Sequence, residues 1–204
     1  RGWPTINKIW KNKLSILVGD YLFSKSLHNI SKFNDFTCIN TLSSISKRLS
    51  EGEIMQIEKA MNKDMIEEDY YKMIADKTAS LISASCYLGY YSNDKDKGRG
   101  EAISKFGEYL GIAYQIKDDV FDIVGNIDNT GKKSNLDLKK NMLTLPFIYC
   151  LSKFDLKEKR LFLRKIKKTS SKSNVNEIKN IVRDLGGLDY AQNKIEEFSN
   201  LAKK

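Results

Sequence analysis

The stretch Tyr114-Gln115-Ile116-Lys117-Asp118-Asp119-Val120-Phe121-Asp122 places three carboxylates and an amide close together in the chain. At helical spacing Gln115, Asp118, Asp119 and Asp122 fall at i, i+3, i+4 and i+7, and so share one stripe. Like charges at that spacing repel by a few tenths of a kcal/mol per exposed pair, and by more where the helix is drawn inward, so the stripe calls for a cation. Ile112, Ala113, Ile116, Val120, Phe121, Ile123 and Val124 occupy the neighbouring faces, which packs the helix over much of its surface. The acids then form either a solvated face or the wall of a cleft. In a cleft without nearby His or Cys the donors are all oxygen, the set preferred by Mg²⁺, which shares its shell with substrate phosphates.

The surrounding chain is read as all-α. Its 204 residues include only two prolines, Pro4 and Pro146, and its apolar residues recur at 3.6-type rather than alternating spacing. With 41% hydrophobic residues it suits one domain, 1–204, with a real core. No run reaches the ~18 apolar residues of a membrane span, and no signal-peptide pattern opens the chain. It starts at Arg1 without a Met, so it is expected to be an N-terminally truncated piece of a longer protein. Cys38, Cys86 and Cys150 are odd in number and widely spaced, which argues against disulfides and a zinc site and for a reducing, intracellular compartment, cytoplasm or organelle. The single histidine, His28, has no ligand-pattern partner and reads as structural or exposed. The net charge of +9 comes from lysines scattered among Asn and Ser, a polar surface rather than a nucleic-acid stripe. The densest basic run, Lys157 to Lys172, is interleaved with Leu161, Phe162, Leu163 and Ile166, as in an amphipathic helix.

Taken in order, Arg1-Gly2-Trp3-Pro4-Thr5 is a turn into a helix capped by Thr5. Asn7 to Lys25 is apolar on nearly every side (Ile9, Trp10, Leu14, Leu17, Leu22, Phe23), which predicts an almost wholly buried helix with Gly19 at a close helix approach. Asp20 within it is either a hydrogen-bonded structural acid or a cleft residue. A second helix runs from Phe36 to Asn62 with Ile39, Leu42, Ile45, Leu49, Ile54 and Ile57 on one side. A mid-helix glycine costs about 1 kcal/mol against alanine, so Gly52 in Ser50-Glu51-Gly52-Glu53-Ile54-Met55-Gln56 marks a tight crossing. Glu67-Glu68-Asp69-Tyr70-Tyr71 is an acidic helix start suited to the positive end of the dipole, and it leads into Asp76-Lys77-Thr78-Ala79. Lys77 is a long cation at the edge of a small-residue stretch, where a lysine can snorkel. Asn93 to Arg99 reads as a polar loop, with a helix from Glu101. After the acidic stripe, Gly125 to Gly131 is turn-rich, Lys132 and Lys133 follow, and Thr144-Leu145-Pro146 opens another helix.

The acidic helix, the Gly-Lys turn and the Thr-Leu-Pro start occur in an order that resembles the second aspartate-rich region of the trans-isoprenyl diphosphate synthases, the polyprenyl synthetase family. Leu17-Val18-Gly19-Asp20-Tyr21-Leu22, Glu51-Gly52-Glu53-Ile54-Met55-Gln56, Lys77-Thr78 and the tail Gly186-Gly187-Leu188-Asp189-Tyr190-Ala191 are similar to further motifs of that family. The resemblance implies an isoprenoid synthase-type helical bundle that joins isopentenyl diphosphate to an allylic diphosphate, with Mg²⁺ as cofactor and a homodimer as the usual assembly. It implies that Asp118, Asp119 and Asp122 hold the metal, that Lys77, Thr78, Lys132 and Gln115 bind or orient the allylic diphosphate, and that Arg1 grips isopentenyl diphosphate. The sequence departs from the family pattern at Asn135, which stands at a glycine, and at Asn141 and Met142, which stand at a glycine and at a diphosphate-binding lysine that Lys139 or Lys140 would have to replace. The family's first aspartate-rich motif, expected before Arg1, is absent from the chain. A non-catalytic subunit of a heteromeric synthase and a terpene cyclase of similar fold are the alternatives.

Overall fold

The computed structural model describes residues 3–93, 97–124, 142–167 and 172–204, and among these the regular structure is entirely helical. The sequence expectations at Arg1, Lys132, Asn135 and Asn141 fall outside the described residues. The helices are α1 (Ile6–Ser31), α2 (Phe36–Asn62), α3 (Glu67–Ile74), a π-helical turn (Ala75–Ala79), α4 (Ser80–Tyr91), α5 (Lys97–Val124), α6 (Leu145–Lys153), α7 (Leu156–Lys167), α8 (Lys172–Asp184) and α9 (Gly187–Ala202). None of the helices among the described residues is long and apolar enough to cross a membrane. The chain divides into two compact units, Arg1–Ser44 and Ile45–Lys204.

The first unit holds α1 and the opening turns of α2. Asp35 caps α2 through its carboxylate, which accepts from the backbone N–H of Thr37 at 2.9 Å and of Cys38 at 3.3 Å. The expected burial of α1 is not found. No α1 residue is buried, Trp10 is 62% exposed, and Ile9, Leu14, Leu17, Leu22 and Phe23 are exposed with it. A helix apolar all round needs neighbours all round, and within its own unit α1 has only the first turns of α2. Gly19 likewise meets nothing within 4 Å among the described residues.

In the second unit α2 buries Ile45, Gly52 and Gln56, whereas Ile54 and Ile57 are 64% and 61% exposed. The single stripe read from the sequence breaks because each residue advances about 100° around the axis, which carries Ile54 to the side opposite Ile45. Helix α5 starts at Lys97, four residues before the predicted Glu101. Its buried positions, Ile112, Ala113, Ile116, Asp119 and Ile123, follow the helical period. Of these, Ile112, Ile116 and Ile123 pack into a core with Tyr70, Met73 and Ile74 of α3, Leu145, Phe147 and Ile148 of α6, Phe162 and Ile166 of α7, Ile178 and Val182 of α8 and Ala191 of α9. Thr144 precedes α6, as the Thr-Leu-Pro reading requires, and Pro146 sits in its first turn, where a missing N–H does no harm. Helix α9 opens at Gly187 after Gly186 turns the chain at φ +76°, and the Tyr190 hydroxyl donates to Glu67 Oε1 at 2.6 Å, which joins α9 to α3.

The three cysteines are free thiols. Burial pushes the Cys150 thiol up to about 11, so at pH 8 it stays protonated and poorly nucleophilic. A colorimetric disulfide reagent at pH 8 is therefore expected to label half-buried Cys38 and Cys86 first and Cys150 only after denaturation. Equally fast labelling of Cys150 in the folded protein would contradict this packing.

Candidate diphosphate site

Between α3, the π-turn and α4 the chain departs from α geometry in a way that shapes the site. The Ser80 N–H reaches back five residues to the Ala75 carbonyl, and the Ser80 hydroxyl donates to the Asp76 carbonyl at 2.6 Å. Single π-turns of this kind are frequent at functional sites. Two glycines press on it. A Cβ added to Gly52 of α2 would lie 2.7 Å from the Lys77 backbone nitrogen, and one added to Gly111 of α5 would lie 2.5 Å from Ala79 Cα. The tight crossing inferred at Gly52 is thus a crossing of α2 over Lys77.

The result is a cavity of about 630 Å³, within the range of small-molecule sites. Lys77 and Thr78 enter from the π-turn, Gln115, Asp118 and Asp119 from α5, Glu53, Gln56 and Lys59 from α2, and Met142 and Thr144 from the approach to α6; Ile57, Met65, Met73, Ile74 and Leu143 are among its apolar lining. Residues some forty positions apart in sequence are therefore brought to one wall. Asp122 is not among the described lining residues. It is half-buried one turn beyond Asp118 and acts electrostatically on Lys179 of α8. The Lys179 ammonium is shifted down, first by burial and further by Arg183, with Asp122 opposing.

A continuous run of hydrogen bonds orders the wall. Thr78 Oγ1 donates to Gln115 Oε1 at 2.9 Å, and Gln115 Nε2 donates to Asp119 Oδ1 at 2.8 Å. The hydroxyl of fully buried Tyr70 donates to Asp119 Oδ2 at 2.8 Å. Asp119 is only 5% exposed, and a buried carboxylate is tolerable only with such donors. Sequence reading missed Tyr70, since a tyrosine after an acidic helix start is indistinguishable there from an ordinary core aromatic. Lys77 Nζ lies 3.0 Å from Glu53 Oε1 and donates to Gln56 Oε1. Gln56 Nε2 in turn donates to the Met142 sulfur at 3.2 Å. The Glu-Gly-Glu-x-x-Gln stretch thus supplies both the partners and the close approach that hold Lys77. Lys59 is occupied by Asp69 at 2.6 Å and Asp64 at 3.7 Å.

Among the described residues no group of three or more His, Cys, Asp or Glu is gathered closely enough to hold a metal ion. The two carboxylates that α5 brings to the cavity, Asp118 and Asp119, nevertheless suit Mg²⁺, which is commonly held by one or two carboxylates and completes its shell with water and substrate phosphate.

The family model that describes polyprenyl synthetases matches residues 1–185. The chain belongs to the polyprenyl synthetase family. It is 32% identical over its whole length to a prenyl transferase of Cyanidium caldarium, of which it spans 63%. The structure of a decaprenyl diphosphate synthase from Rhodobacter capsulatus superposes on 98% of the chain with a TM-score of 0.90 at 30% identity, 62% of that protein being covered. A polyprenyl synthase from Caulobacter crescentus CB15, solved in complex with calcium and isoprenyl diphosphate, matches 97% of the chain with a TM-score of 0.87 at 26% identity, and 60% of it is covered. This polyprenyl synthetase chain thus spans less than two thirds of each of these relatives, and its all-helical fold is theirs. Their names do not favour the terpene cyclase alternative.

Proposed function

We propose that the protein is a prenyltransferase that condenses isopentenyl diphosphate with an allylic diphosphate, giving a longer polyprenyl diphosphate and pyrophosphate. The observation that carries this reading is that Lys77 and Thr78 line one cavity together with Gln115, Asp118 and Asp119. Asp118 and Asp119 would hold Mg²⁺, to which the family resemblance adds Asp122, and which when bound offsets the negative charge that grows on the departing pyrophosphate. The Lys77 ammonium and Thr78 hydroxyl bind diphosphate oxygens. A polyanion outcompetes Glu53 for Lys77 because Glu53 is exposed to solvent and its pairing is screened. Gln115, fixed at both ends of its amide, aligns the diphosphate so that the allylic C–O bond points into the apolar part of the cavity. There Ile57, Met73 and Ile74 exclude water as that bond breaks. The double bond of isopentenyl diphosphate attacks the allylic carbon, and the proton lost afterwards passes to pyrophosphate. The family resemblance adds Lys132 to the allylic diphosphate and Arg1 to isopentenyl diphosphate.

The same reading extends to a homodimer, for which the exposed apolar residues of α1 offer surface, and to a reducing compartment, which suits three free thiols. Full-length protein incubated with Mg²⁺, labelled isopentenyl diphosphate and a series of allylic starters is expected to yield labelled polyprenyl diphosphate. Starters consumed to hydrocarbon or alcohol, or label left in isopentenyl diphosphate, would contradict the proposal.

Met142 stands where the family pattern has a diphosphate-binding lysine, and it lines the cavity with its sulfur on Gln56. Met142→Lys adds a charge-assisted donor and is expected to tighten inorganic pyrophosphate binding about tenfold. Unchanged affinity would mean that the position does not face the anion, leaving Lys139 or Lys140 to serve.

A further inference from the structure

Arg48 of α2 is not among the described lining residues of the cavity, yet its guanidinium joins the elements that build the wall. Its Nε donates to Asp76 Oδ1 at 2.7 Å and its Nη2 to Glu108 Oε1 at 2.9 Å. Asp76 lies in the π-turn immediately before Lys77 and Thr78, and Glu108 lies on α5 two turns before Gln115. All three side chains are partly shielded from solvent, Asp76 most of all. Burial works to lower the Arg48 pKa, but the hydrogen bonds to Asp76 and Glu108 outweigh it, and the net shift is upward.

A π-turn holds one residue more than the α-helical turn it replaces. Its loss would rotate the chain on one side of it by about 100° relative to the other, so that Thr78 would no longer meet Gln115 while Lys77 meets Glu53 and Gln56. The Ser80 hydroxyl and the close approaches of Gly52 and Gly111 hold the turn through its backbone. Besides the Thr78–Gln115 hydrogen bond, Arg48 ties it laterally to α5 through Asp76 and Glu108, and its planar fork suits two carboxylates where a lysine would serve one.

We infer that Arg48 is a positioning residue for the diphosphate site: by bridging Asp76 and Glu108 it keeps the π-turn in the register that aims Lys77 and Thr78 into the cavity. This rests on the reading of the cavity as a diphosphate site. Its test is calorimetric titration of inorganic pyrophosphate in Mg²⁺ into the purified protein and variants, with circular dichroism and thermal unfolding run alongside. Arg48→Met is expected to weaken pyrophosphate binding by about tenfold or more, and Arg48→Lys to recover part of the loss. In the Lys77→Met/Thr78→Val background, the same Arg48→Met change is expected to cost no further affinity, because Arg48 acts through those two groups. Parent-like affinity in Arg48→Met, or an equal additional loss in the double background, would overturn the inference even if the melting temperature falls. Should Arg48→Met not fold, Glu108→Gln, which leaves the Arg48–Asp76 bond in place, carries the same test with a smaller expected loss. A parent protein that does not bind pyrophosphate would overturn the diphosphate reading and this inference together, whereas binding unaffected by Arg48 overturns the positioning role alone.

Discussion

Asp119→Ala is expected to abolish prenyl transfer and to destabilise the fold, whereas Asp118→Ala is expected to abolish transfer alone. Both carboxylates line the cavity, so each substitution removes a group proposed to hold the divalent cation, and a loss of at least about 100-fold in turnover is expected from either. Their surroundings differ. Asp119 accepts from the buried Tyr70 hydroxyl and from Gln115, and truncation strands the Tyr70 donor in the core, a defect that costs about 1–3 kcal/mol. For a chain of this size that lowers the melting temperature by about 2–4 °C per kcal/mol. Asp118 is half-buried, and its removal should leave stability within about 0.5 kcal/mol. Steady-state assay of the full-length enzyme and thermal unfolding separate the two outcomes. Full activity in either variant would remove the metal assignment, and an unchanged melting temperature in Asp119→Ala would remove the structural one.

Gly111→Val is expected to have the largest effect on stability. On an exposed helix a glycine replacement gains up to about 1 kcal/mol from propensity. At this position the first added carbon would stand 2.5 Å from Ala79 Cα and 2.7 Å from Ala79 Cβ, far inside contact distance, and Ala79 is wholly buried. Backbone must move, so the overpacking strain wins, and a net loss of about 3 kcal/mol is a reasonable scale. The same displacement parts α5 from the π-turn and opens the bond from Thr78 to Gln115, so pyrophosphate affinity should fall as well. Urea unfolding with the parent as control measures the first effect. A variant as stable as the parent would mean that α5 does not approach the π-turn this closely.

Much of the scaffold was legible in the sequence, for identifiable reasons. The bounds of α2 were readable because the apolar rhythm runs from Phe36 to Asn62, and Gly52 was readable because glycine in a long helix needs a steric cause. The acidic stripe of α5 was readable as one helix face, but not whether that face is a cleft wall or solvated, because apolar neighbours do not decide it: Phe121 and Val124 are exposed while Asp118 and Asp119 line the cavity. The π-turn was not readable. Ala75-Asp76-Lys77-Thr78-Ala79 contains neither glycine nor proline, and one extra residue in a turn hardly disturbs a helical pattern. The Arg48 bridge joins residues 28 and 60 positions apart, and no local rule pairs them. Burial of α1 was over-read because an apolar segment reveals its need for neighbours but not whether they are at hand. Ile54 and Ile57 were misplaced because apolar residues were assigned to one side of α2 without following the 100° advance of the helix.

The central claim is that Lys77 and Thr78 on the π-turn and Asp118 and Asp119 on α5 together hold a diphosphate. A crystal structure of the protein with Mg²⁺ and a bisphosphonate tests it most directly. The account predicts the phosphonate groups within hydrogen-bond reach of Lys77 and Thr78, with metal density against Asp118 and Asp119. A bisphosphonate bound elsewhere, with those four side chains arranged as they are without it, would contradict it.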